Sequence, residues 1–532
     1  MKMLNTLIIV FLFSYFNLLC GTYSGGDGSI GNPYKIADIN DLEELMDTHS
    51  DWNSSFILIA NINCNGHSWA NDNPRPIGNG DGTSSTTPFL GDFNGQNFTI
   101  SNILYNLSST ENVGFFGYLG TISNAATISN LNLSNVNVDA YKNAGVMCGV
   151  VQHAKIKDCS ATGDVDSYEE NSGGFCGIMH DGLIKNCSAT GNAVCIEHSS
   201  GGFCGLLADG TIENCSASGN ATVNDIYCAG GFCGHIYDGT IAYCIASGNA
   251  YTRGDYAGGF CGYNKYGTIT DCIAMGNAEA GIIYAGGFCG MNVSGTITNC
   301  TASGDAESAF ACGGFCGASK GILFACSSSG NSNAKNFLVG GFIGAITNGI
   351  IDCCFSVGNA YAVNQYSGGF CGGSYNSTVS NCYSKGMADA NTNIGGFCGI
   401  GENSIFEYCY SIGEPTGTAN VGGFLGTITT GSTFTCCYWG CVSATLDDIG
   451  SSGDDPDITE LTPIQMSNPM SFPCFDLDNI WVMGFNVSNS DYSYPMLREF
   501  NATLIPTLTE WAVIIFIGLL AGVGGWFVWR RM

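Results

Sequence analysis

The sequence predicts an all-β fold, a right-handed parallel β-helix of about twelve rungs, and three observations carry that prediction. First, a phrase close to GGFCG-x(4)-GTI-x-NCSASGNA recurs about every 28 residues. Its anchor aromatic or Met stands at Met147, Phe175, Phe203, Phe232, Phe260, Phe288, Phe315, Phe342, Phe370, Phe397 and Phe424, with gaps of 27 to 29 residues. A degenerate first copy lies at Gly114-Phe115-Phe116-Gly117. A strict short period makes each copy one unit that buries its apolar face only against its neighbours. Second, the apolar runs within a copy are short and Gly-bounded, and none shows a 3.6 period over ten or more residues. Third, Gly and Asn recur where they would weaken a helix but suit tight left-handed corners. Rungs spaced at about 4.8 Å make twelve copies a stack of about 55–60 Å.

The elements follow in chain order. Lys2 precedes an apolar run, Leu7 to Phe16, and then Leu18-Leu19-Cys20-Gly21, so residues 1–21 read as a secretory signal. Residues 22–110 lack the repeat and are expected to cap the open N-terminal end of the helix, because an uncovered solenoid end exposes unpaired strands. Residues 111–441 hold the repeats. Residues 442–500 again lack the phrase and read as a C-terminal cap with an acidic linker. From Trp511 to Trp529 an apolar stretch about 28 Å long as a helix, closed by Arg530 and Arg531, predicts one membrane span with a short cytoplasmic tail.

Charge bounds the partners. The 532 residues carry 15 Lys and Arg against 44 Asp and Glu, a formal charge of −29. That balance excludes nucleic acid and anionic lipid surfaces, which require a basic face. Charged residues are only 11% of the chain, which suits a scaffold better than proton-transfer chemistry.

The repeats align their cysteines in two columns. The first contains Cys148, Cys176, Cys204, Cys233, Cys261, Cys289, Cys316, Cys371 and Cys398. The second contains Cys159, Cys187, Cys215, Cys244, Cys272, Cys300, Cys326, Cys354, Cys382, Cys409 and Cys437. Three readings stand side by side. Phe116, Ile343 and Leu425 replace the thiol in the first column and Leu131 in the second, as an apolar core slot would allow. A disulfide framework suits an exported chain. A metal site lacks paired CxxC knuckles and has only six scattered His. Phe and Cys are consecutive in GGFCG, so a straight strand would aim them at opposite faces. Either the glycines bend the strand or one column faces outward.

With these motifs in view, the repeats resemble the GLUG-motif repeats of bacterial surface proteins. GGDGSIGNPYKI at 25–36, FILIANINC at 56–64 and FNGQNFTISNI at 93–103 are similar to the segment that precedes them in that family. Leu461-Thr462-Pro463-Ile464-Gln465-Met466 and Tyr494-Pro495-Met496-Leu497 resemble its closure. The resemblance implies a parallel β-helix with an adhesive or binding role at the cell surface, and it supplies no catalytic residue. The first-column Cys departs from the aliphatic residue usual in the family. The tail Ile505-Pro506-Thr507-Leu508-Thr509-Glu510-Trp511, with the span and Arg530-Arg531, resembles the IPTL-type sorting signal, with Thr509 where Ser is commoner. That resemblance implies an exosortase-like processing enzyme as a partner.

Enzymatic motifs are weak. Gly317-Ala318-Ser319-Lys320-Gly321 matches GxSxG as a string, but it falls on a rung corner that other copies fill with unrelated residues. HExxH is absent. Asp164, Asp166, Glu169 and Glu170 read as a solvated acidic loop, Ca²⁺ ligands or a glycosidase pair, and the run Asp447, Asp448, Asp454, Asp455 and Asp457 carries the same alternatives, with Ser451, Ser452 and Gly453 favouring a flexible linker. The expected function is therefore an envelope-anchored, adhesin-like or matrix-binding scaffold without catalysis or cofactor. The alternatives are a polysaccharide-binding or polysaccharide-degrading β-helix and a purely structural envelope component.

Overall fold

A computed structural model describes residues 21–69, 73–78, 87–440, 446–484 and 494–498. The expected sorting motif, its span and nearly all of the signal segment lie outside these residues. No described helix is long and apolar enough to cross a membrane.

The chain up to Glu460 forms a parallel β-solenoid of the right-handed type. One face is a 15-stranded parallel sheet whose strands appear in simple sequence order. The first three, Tyr34–Ile36, Ser55–Leu58 and Asp92–Asn94, precede the repeats, and the other twelve run from Thr127–Ser129 to Thr433–Thr435. Residues before the repeat thus continue the same sheet. The helix Ile39–Asp47 starts at Asp38, whose carboxylate accepts from the Asn40 and Asp41 amides, and it buries Leu42, Leu45 and Met46.

The register repeats faithfully. Ile184 pairs with Ile212, Ile212 with Ile241 and Ile241 with Ile269, so the Ile of GTI forms one unbroken buried column. The turn after it holds Asn186, Asn214 and Asn299 at φ of 55°, 54° and 52°, the left-handed region that Asn tolerates. Side chains at this turn also bond from rung to rung, Asn214 Nδ2 donating to Asn186 Oδ1 at 2.7 Å and Asn299 Nδ2 to Asp271 Oδ1.

The anchor phenylalanines form a second column. Phe175 to Phe424 stack with ring centroids 4.7–4.9 Å apart and planes within 8° of parallel, all fully buried. The strand bends to place them. Ser199–Gly201 ends before Gly202-Phe203, and a new strand starts at Cys204–Leu207. A Cβ on Gly201 would lie 2.0 Å from the Cys204 carbonyl oxygen, so only glycine allows so sharp a bend. Phe203 and Cys204 therefore both point inward.

From Leu461 the chain forms a second unit. Its helix Pro463–Met466 begins with a capping box between Thr462 and Gln465, and Trp481–Met483 pairs antiparallel with Pro495–Leu497.

Candidate functional site

A polar groove about 510 Å³ in volume lies on one flank of the solenoid. Its wall comes from the strands Ala250–Thr252, Ala278–Ala280, Ala306–Ser308, Ser332–Ala334 and Ala360–Ala362. Each reads small-x-small, with the small residues buried and the middle one turned out. In register, those outward residues are Tyr251, Glu279, Glu307, Asn333 and Tyr361. The two tyrosines bracket the carboxylates and are 37% and 38% exposed. Four rungs at about 4.8 Å set them roughly 19 Å apart along the stack.

A second column, one residue before each strand, forms the other lip. Asn249, Asn277, Asp305 and Asn331 each accept the backbone N–H of the next rung through Oδ1, at 2.7–3.1 Å. This ladder starts at Asn137, whose Oδ1 accepts from the Asp164 amide at 3.0 Å, and runs to Asn359. It stitches successive rungs while the amide nitrogens of Asn249 and Asn277 face solvent. Convergent amides, carboxylates and half-exposed rings on a rigid wall can hold a polar, extended ligand.

The acidic clusters are spent on structure. Glu169 and Glu170 meet Lys142 at 2.7 and 3.3 Å. Asp448 accepts from Trp439 Nε1 at 2.6 Å and from the Asp455 amide at 3.1 Å, which folds the acidic run back on itself. Burial raises the Asp166 carboxyl above its ordinary range, and Asp139 and Asp164 add to the effect. Among the described residues no group of three His, Cys, Asp or Glu side chains is placed to hold a metal ion.

Both cysteine columns face the core. Cys176, Cys187, Cys204, Cys215, Cys233, Cys244, Cys261, Cys272, Cys289 and Cys300 are buried thiols. The first column pairs Cys176 with Cys204, Cys204 with Cys233 and Cys233 with Cys261. In the second, the Cys187 amide donates to Cys215 Sγ at 3.4 Å, while Cys187 Sγ donates to the Lys185 carbonyl at 3.2 Å. Burial pushes the thiols of Cys148, Cys187, Cys233, Cys244, Cys261 and Cys300 well up, so they stay protonated. A rung spacing of about 4.8 Å lies within the Cα range that a disulfide spans, so it is their state as free thiols, not the spacing, that sets these columns apart from a cross-linked ladder. Cys436 and Cys474, outside the columns, each take part in a disulfide.

Sequence reasoning missed the groove. The signal was present in Asn249-Ala250-Tyr251, Asn277-Ala278-Glu279, Asp305-Ala306-Glu307, Asn331-Ser332-Asn333 and Asn359-Ala360-Tyr361, where the third position breaks an otherwise monotonous phrase.

Known proteins agree with the repeat. Halomucin from Haloquadratum walsbyi is 30% identical over 145 residues, which are 26% of this chain and 2% of that protein. A Bacteroides ovatus crystal structure, titled a "putative immunoglobulin A1 protease", aligns over 90% of this chain and 96% of its own at 15% identity. Its TM-score of 0.25 is too low to bear on fold or function. The GLUG motif matches residues 197–224 and 281–307, each about one rung of the solenoid, so the chain carries GLUG-motif repeats.

Proposed function

We propose that the protein is an exported, surface-located adhesin-like scaffold that holds an extended glycan of its surroundings along the flank groove, without catalysis. The groove bracketed by Tyr251 and Tyr361 is the observation behind this reading. Aromatic faces and convergent polar groups on a rigid sheet suit sugar rings, and ordered repeats favour weak contacts made many times. The likeness to GLUG repeats and halomucin supports a place at the surface. The expected C-terminal span and sorting signal would anchor it there.

The test is a glycan array probed with the full-length protein and with a Tyr251→Ala/Tyr361→Ala variant. Binding that falls at least about tenfold in the variant supports the reading, since each stacking ring is worth about 1 kcal/mol. A silent array moves the assignment to a purely structural envelope component. One observation favours a second reading, polysaccharide cleavage: Glu279 and Glu307 sit on neighbouring strands in register, as a glycosidase carboxylate pair could. Release of reducing ends that stops in Glu279→Gln would replace binding with hydrolysis.

A further inference from the structure

The charge of the ligand follows from the groove, and this inference rests on the glycan-binding reading above. We propose that the groove takes a polysaccharide whose sugars carry free amino groups. In the outward column, which runs in register from Asp139 to Asp389, Glu279 and Glu307 stand side by side between Tyr251 and Tyr361. Like charges on directly neighbouring strand positions repel. Glu213, by contrast, is met by Lys185 on the neighbouring strand at 2.9 Å. In the groove, Lys335 reaches only Glu307, at 3.9 Å, with both side chains largely in water. Among the described residues Glu279 has no ion pair or hydrogen bond of its own, so this repulsion is left for a ligand to relieve.

The flanking residues fit the same ligand. The faces of Tyr251 and Tyr361 attract an ammonium group at either end. The amide nitrogens of Asn249 and Asn277 supply donors for hydroxyls, because only their oxygens are spent on the frame. A basic peptide would meet the same charge but find no open strand edge. Ala278–Ala280 is already paired on both sides, so strand addition is closed. An acidic polysaccharide would be repelled.

Titration calorimetry on the full-length protein separates the cases, using glucosamine oligosaccharides, the same chains N-acetylated, galacturonate oligomers and oligolysine. The glucosamine chain should bind about tenfold tighter than its acetylated form and lose that advantage between about 0.05 and 0.3 M salt. Glu279→Gln/Glu307→Gln, isosteric and on exposed positions, should bind both forms alike while keeping the circular dichroism of the parent. If the acetylated chain binds equally to the unaltered protein, the charge inference fails and the glycan reading stands. If no oligosaccharide binds, the glycan reading itself fails. Oligolysine binding as tightly as glucosamine, and competing with it, would overturn the assignment to a sugar.

Discussion

Replacing Phe288 with Ala should open the solenoid in its middle. Phe288 is fully buried, and its ring stacks on Phe260 and Phe315 at 4.8 Å on each side, with planes 4° from parallel. Truncating a buried Phe costs about 3–5 kcal/mol through lost transfer energy and the cavity left behind. Losing two ring contacts worth roughly 0.5–1.5 kcal/mol each keeps the total at about 4 kcal/mol or above. Collapse cannot fill the space easily, because backbone ladders hold the rungs on either side at fixed spacing. Since each rung contacts only its neighbours, the damage should be local. The assay is amide hydrogen exchange on Cys289–Val293 and Cys316–Ser319, whose opening free energy reports local stability. A cost of 4 kcal/mol accelerates exchange there roughly a thousandfold. Protection near Thr127–Ser129 should be unchanged. A loss under about 1 kcal/mol would show that the ring column does not support the stack, and Phe288→Leu, which keeps most of the volume, should cost less than half as much.

Two further outcomes follow from the thiols and the carboxylates. Alkylation of the purified protein after denaturation without reductant should label the cysteines of both columns, read by intact mass, because they stand as free, buried thiols. Inter-rung cross-linked peptides about 28 residues apart would refute the free-thiol reading. Asp166 titrates above its ordinary range in the folded chain, owing to burial first and then to Asp139 and Asp164. A raised carboxyl contributes stability below its unfolded value of about 3.9, and that contribution is lost as pH rises through the folded value. Asp166→Asn should therefore stabilise at pH 7, by under about 1 kcal/mol given the exposure of the side chain, and do little at acid pH. Equal effects at both pH values would contradict the assignment.

The sequence by itself determined the architecture, because a solenoid is written in one dimension. A constant period places identical residues over one another, so Ile212, Phe203, Cys204 and Asn214 each announce a column. The substitution of Phe116, Ile343 and Leu425 for Cys marks an apolar slot before any coordinate is known. Two things required the tertiary structure. Whether Phe203 and Cys204 share a face depends on a bend at Gly202, and strand alternation alone gives the opposite answer. The groove depends on residues in five rungs becoming neighbours about 4.8 Å apart although 26 to 28 positions separate them in sequence. Asp164, Asp166, Glu169 and Glu170 look like a site because they are adjacent in the chain, yet Lys142 takes two of them. Glu279 and Glu307 look unrelated and lie side by side. Sequence proximity governs the period of a solenoid, whereas the stacking of rungs governs which charges and rings meet.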